Sequence, residues 1–176
     1  MRCFLFAFAA LALCFSAYAA SDVRSGVWTA ELQNDQLELT IFHGRSYGGH
    51  HDGPGQSIMG MEEPLGSFTG VKKEDVNSPG ANVQFEIRRP AGAFAFEGRM
   101  ANGTGAGHYR FTPSDAFIRD MQALGYGDFK DDMLLVFAAN DFSPQTIRDL
   151  KAMGYDPTRH EVEEIAIFKI TPDFLK

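Results

Sequence analysis

Cysteine is nearly absent: the only two, Cys3 and Cys14, fall within the first twenty residues. Those twenty read as a removable export signal. Met1-Arg2 is a minimal positive start, and Phe4 to Phe15 is an apolar run too short for a membrane span. Ala17-Tyr18-Ala19 then supplies the small residues that a signal peptidase needs, so the cut is expected after Ala19 or Ala20. A retained anchor and a lipoprotein are the competing readings. The shortness of the run argues against the first, and Leu13 before Cys14, where a small residue is required, against the second. The expected location is the periplasm or the outside of the cell. Past the signal no cysteine remains, which excludes disulfides, thiolate metal sites and cysteine nucleophiles. The fold must then be held by its apolar core, and a chain of 176 residues is long enough to build one.

Positive charge is also scarce. Sixteen Lys and Arg stand against 23 Asp and Glu, a formal net charge of -7, and no basic run occurs anywhere. Nucleic acid and anionic membrane surfaces both need a basic patch, so neither is expected as a partner. No second apolar segment of spanning length follows the signal, and no membrane span is expected after cleavage.

Catalytic motifs are missing or incomplete. There is no G-x-S-x-G elbow, since Gly66-Ser67-Phe68-Thr69-Gly70 lacks the glycine two residues before the serine. His160-Glu161-Val162-Glu163-Glu164 begins like a zinc-protease helix, but Glu164 stands where the second histidine must face the metal. His43, His50, His51 and Asp52 form the densest set of ligand-type side chains. Three of them, His50, His51 and Asp52, sit in a Gly-rich loop, residues 44–60, that offers no rigid second shell. They are the weak metal candidates, and no cofactor is expected. Gly103, Gly105 and Gly107 lack the following helix N-terminus of a phosphate loop and are expected to serve close packing or a sheet bend.

What the chain does have is two periods. From Gly26 to Phe111 apolar residues alternate: Trp28, Ala30 and Leu32; then Leu37, Leu39 and Ile41; then Val83, Phe85 and Ile87. Turns at Gln33-Asn34-Asp35, at Pro90-Ala91-Gly92 and from Ala101 to Gly105 lie at hairpin spacing. This predicts an antiparallel meander of five strands, with a weaker sixth around Ser57 to Met61. Trp28, Phe85, Phe94, Phe96, Tyr109 and Phe111 share one face, as core or as the lining of an apolar-ligand site. His108 falls on the opposite, wet face.

After Thr112 the period becomes helical and repeats. Phe111-Thr112-Pro113, Ile118-Arg119-Asp120 and Gly125-Tyr126 are echoed by Phe142-Ser143-Pro144, Ile147-Arg148-Asp149 and Gly154-Tyr155. The interval is about 29 residues, the size of a stacking helical hairpin, and Ile170-Thr171-Pro172 opens a third copy. Each copy predicts a Thr or Ser N-cap, Pro at the first helical position and a left-handed glycine at the end. Second helices are expected near Lys130–Asn140 and Arg159–Lys169, with Thr158 and Glu161 as a capping box.

The strands Val83 to Arg89, Ala91 to Gly98 and Gly103 to Pro113, with the Ile-Arg-Asp and Gly-Tyr helices, resemble free-standing secreted bacterial proteins without an assigned role. They also resemble the extracytoplasmic C-terminal region of membrane metallopeptidases of the beta-lactam-sensor type. The peptidase's membrane helices and zinc motif have no counterpart here, so the resemblance carries over no catalytic residue. It implies an envelope-side sensing or interaction module.

The expected fold is therefore α+β: a signal at 1–20, an antiparallel β domain at 21–111 and helical hairpin repeats at 112–176. The expected role is a non-enzymatic exported interaction module, binding a protein partner or itself through an apolar edge at Ile165, Ile167, Phe168 and Phe174. An apolar-ligand binder using the aromatic face is the alternative, and a metal-dependent hydrolase the distant one.

Overall fold

Six alternating segments become six antiparallel strands: β1 (Ser25–Gln33), β2 (Gln36–Gly44), β3 (Gln56–Pro64), β4 (Ala81–Arg89), β5 (Gly92–Ala101) and β6 (Thr104–Pro113). The computed structural model describes residues 24–44 and 56–175. The proposed signal and the candidates His50, His51 and Asp52 lie outside the described residues.

Turn chemistry sets the hairpins. Asn34 and Asp35 between β1 and β2 both have positive φ, as do Asn102 and Gly103 between β5 and β6. Two such residues match the right-handed twist of the strands they join. The sheet order is β3-β2-β1-β6-β5-β4. It is thus not one continuous meander but two three-stranded meanders joined through β1 and β6, with Ser25 opposite Arg110 and Glu31 opposite Thr104. The sixth strand, expected only around Ser57 to Met61, is a full nine residues long.

The two outer strands are brought toward each other. Six flat strands would hold β3 and β4 about 24 Å apart. Here the Arg89 guanidinium at the end of β4 contacts the Glu63 carboxylate at the end of β3, and reaches Asp141 at 3.2 Å. The sheet must therefore curl strongly. Between β3 and β4 the chain makes a 3-10 turn (Leu65–Ser67) and a short helix α1 (Lys73–Val76). On the way, Thr69 exchanges two backbone hydrogen bonds of 2.9 Å with Glu86 on the outer edge of β4. Carbonyls of Val76 and Ser78 then accept from Gly103 and Asn102, which ties this crossing to the β5–β6 turn.

The inner face is packed with aromatic rings. Trp28 is fully buried, edge-on to Phe85 at 5.4 Å between centroids, and Phe85 stacks on Phe96 at 4.8 Å. Glycines make room for the indole. Gly107 pairs with both Trp28 and Gly98, and a Cβ at Gly98 would stand 2.8 Å from the Trp28 ring. A Cβ at Gly107 would stand 2.6 Å from the Gly98 Cα. The indole N–H donates to the carbonyls of His108 (3.0 Å) and Glu97 (3.2 Å), so its one polar atom is satisfied.

Four nine-residue helices follow: α2 (Asp115–Ala123), α3 (Asp131–Ala139), α4 (Pro144–Ala152) and α5 (Arg159–Ile167), then a 3-10 turn (Pro172–Leu175). All four end alike. Gly125, Asp141, Gly154 and Lys169 sit at φ 92, 54, 89 and 51°. The next N–H of each bonds back to the carbonyl five residues before it: Tyr126 to Met121, Phe142 to Phe137, Tyr155 to Leu150 and Ile170 to Ile165. This is the double-bonded left-handed cap. A Cβ added at Gly154 would meet nothing within 4 Å, so Gly154→Ala should cost only its backbone strain, about 1 kcal/mol in urea unfolding. An unchanged midpoint would show that the left-handed cap is not there.

The N-termini of α2 and α4 differ. In α4, Ser143 caps and Pro144 takes the first position, as predicted. In α2 the cap is Ser114, while Thr112 and Pro113 remain in β6 opposite Ala93 and Gly92. The expected Thr112 cap is corrected on this point, because the strand ladder takes those residues first. At α5, Thr158 and Glu161 form the predicted capping box. The Thr158 backbone N–H, then its hydroxyl, then the Tyr155 hydroxyl hold the Glu161 carboxyl below the usual carboxylate range.

The buried stripe of α3 (Leu134, Leu135, Phe137, Ala138, Ala139) packs against β3, β5, β6 and α5. One continuous apolar core therefore runs through the sheet and the helices.

Candidate functional site

Among the described residues, those singled out for chemistry are not brought together. His43 is buried on the inner face of β2, opposite Gly26, where the alternation of Leu37, Leu39 and Ile41 puts it. His160 is largely exposed, 3.4 Å from Glu164 one turn on, which makes a surface pair of the incomplete zinc motif. Among the described residues no three His, Cys, Asp or Glu side chains converge as a metal site would need. The six aromatic residues of the inner face are buried against one another and leave the alternative ligand site on that face filled.

Two surfaces stand out instead. The first is the end of the helical half. Phe168, the C-cap of α5, is 72% exposed, Phe174 is 79% exposed and Ile167 is 47% exposed. Ile165 does not belong with them. It is 4% exposed and shares the inward face of α5 with Val162 and Ala166, three residues before and one after. The proposed edge is corrected to Ile167, Phe168 and Phe174. Periodicity marked α5 as apolar but could not say which of its consecutive apolar residues closed on α3.

The second surface was missed in the sequence. The wet face of β4, β5, β6 and β1 carries an open groove of about 780 Å³, walled on one side by Thr69 and Gly70. Its floor is set by register. Gln84, Glu97, His108 and Val27 lie directly opposite one another across four strands, and Glu86, Ala95, Arg110 and Ser25 form the adjoining row. His108 is exposed, as its alternation with Tyr109 and Phe111 predicted. The first row continues onto β2 and β3 as Phe42 and Ile58. It therefore changes from polar on three strands to apolar on the other three. The only earlier signal of this was the outward position of each side chain, because the rows exist only once the long-range pairing of β1 with β6 is known. Comparison of the chain with family models, with curated proteins and with solved structures finds no match.

Proposed function

We propose that this chain is a non-enzymatic, exported interaction or sensing module of the bacterial envelope. It docks another protein chain through the end of its helical half. The observation that carries the reading is the pair of phenylalanines, Phe168 and Phe174, held almost fully in solvent beside Ile167. Burying one such ring contributes about 1.5–3 kcal/mol, and aromatic residues are enriched at the centres of interfaces. The two helical hairpins, with the Pro172–Leu175 turn as the start of a third, are read as stacked repeats, which present such surfaces rather than perform chemistry. The leader at 1–20 supplies the address. The resemblance to the sensor-type region of membrane metallopeptidases fits a module that works without the peptidase.

The test is a photoreactive phenylalanine analogue at position 168, activated in cells, with position 88 on the sheet as the control. A single adduct of defined mass is expected from position 168 and none from position 88, and Phe174→Asp should cut its yield at least tenfold. An adduct of twice the chain mass would identify the partner as a second copy. Equal labelling from both positions, or none from 168, would sink the proposal.

A further inference from the structure

The groove on the wet face of the sheet has a chemistry of its own, independent of the helical end. Glu97 on β5 and Arg110 on β6 both point into it, and neither has an ion-pair partner among the described residues. They are diagonal neighbours across one strand spacing: Glu97 faces His108, and Arg110 faces Ala95. Side chains so placed are within reach of each other when long, yet these two form no ion pair. Some neighbouring opposite charges on the surface do pair, as in Arg24–Asp131, Arg88–Glu86 and Arg148–Asp120.

One more strand along, the wet face turns apolar: Val27 lines the groove, and Phe42 and Ile58 continue the face beyond it. Val27 is exposed on β1, and the row runs on through the half-buried Phe42 to Ile58, which is 64% exposed. Strand by strand the order is thus carboxylate on β5, cation on β6 and apolar strip from β1 onward, with Arg110 set diagonally from Glu97. The complementary ligand carries a cation, then an anion, then a hydrocarbon chain, in that linear order.

We infer that this groove binds a single-chain amphiphile with a zwitterionic phosphodiester head, of the phosphoethanolamine or phosphocholine type. The ammonium lies at Glu97. The phosphate lies at Arg110, where His108 adds a second donor. The chain crosses Val27 and Phe42 towards Ile58. Diagonal neighbours stand about 7–8 Å apart at their roots, and both side chains are long enough to converge on the two charges of such a head. The groove volume falls within the usual 300–1,000 Å³ of a small-molecule site. The charge balance agrees. A chain of net charge -7 repels anionic lipid, but not a head group whose own charges cancel.

The molecule holds its own reporter. Its single tryptophan, Trp28, donates its indole N–H to the carbonyls of Glu97 and His108, directly beneath the groove. The indole N–H resonance is followed while dodecylphosphocholine is added below its micelle concentration. A saturable shift with one ligand per chain is expected. Arg110→Ala and Glu97→Gln should each weaken binding at least tenfold, with Arg110→Gln in reserve should the alanine variant not fold. Dodecyl maltoside, with the same tail and an uncharged head, should bind at least tenfold more weakly, as should phosphocholine without a tail. The absence of a saturable shift, equal binding of the maltoside, or indifference to Arg110→Ala would each overturn the inference. Co-sedimentation with phosphatidylcholine vesicles, without binding of the monomeric amphiphile, would replace the groove by a membrane-docking face.

Discussion

Trp28→Ala should leave the protein barely folded. Truncating a buried Trp costs about 3–5 kcal/mol through lost transfer energy and the cavity left behind, out of a total that for domains is about 5–15 kcal/mol. The cost should fall at the upper end for two reasons. The indole lies over Gly98 and Gly107, which have no side chains to collapse into the void, and the carbonyls of Glu97 and His108 lose a shared donor. Trp28→Phe separates these effects. It keeps an aromatic ring in the core but loses the N–H and part of the indole's volume, so it should cost about 1–3 kcal/mol. Urea unfolding followed by far-ultraviolet circular dichroism measures both, since the fluorophore is removed. A loss below about 1 kcal/mol for the alanine variant would mean that the ring is not the centre of the core.

The same residue shows what the sequence could and could not convey. That Trp28 points inward followed from its alternation with Val27 and Thr29, and the turn at Asn34-Asp35 followed from residues that tolerate positive φ. Both are local facts. Why Gly98 and Gly107 are glycines is not local, because the ring they accommodate lies on a strand about seventy to eighty residues away in the chain. The pairing of β1 with β6 is of the same kind. Alternation says which face a residue takes but not which strand stands beside it. For that reason the groove could not be seen beforehand, although His108 in its floor was already assigned to the wet face. Thr112-Pro113 shows the opposite failure. A sound helix-start signal was present, but Ser114 offered an equally good cap two residues later, and pairing with β5 decided between them.

Arg89→Met is the other substitution expected to be severe. The Arg89 side chain is 12% exposed and that of Glu63 is 18% exposed, so the charges are mostly withdrawn from water. Removing one partner of such a pair leaves the other uncompensated, at about 3–5 kcal/mol for full burial. A value near 3 kcal/mol is expected here, since Asp141 on the same guanidinium is half exposed. The Arg89 nitrogen lies against the Glu63 oxygen without hydrogen-bond alignment, so the contact is electrostatic in character. Replacing both residues, Arg89→Met with Glu63→Leu, should recover most of the loss, because an apolar pair can occupy the place of a buried ion pair at little cost. A double-mutant cycle in urea gives the coupling directly. If Arg89→Met alone costs less than about 1 kcal/mol, the contact does not hold the outer strands together.

The pairing of the first strand with the last also governs the order of events as the chain folds. β1 can form its hairpin with β2 at once. Its other edge must wait for Thr104 to Arg110. Until then the chain presents an unpaired strand edge and the bare indole of Trp28, the features through which partly folded chains associate with one another. Closing so long a loop costs entropy before any contact repays it, which places the pairing of β1 with β6 in or after the rate-limiting step. The Asn102-Gly103 turn, at the tip of the hairpin that delivers β6, is then the point on which the timing of the whole sheet depends.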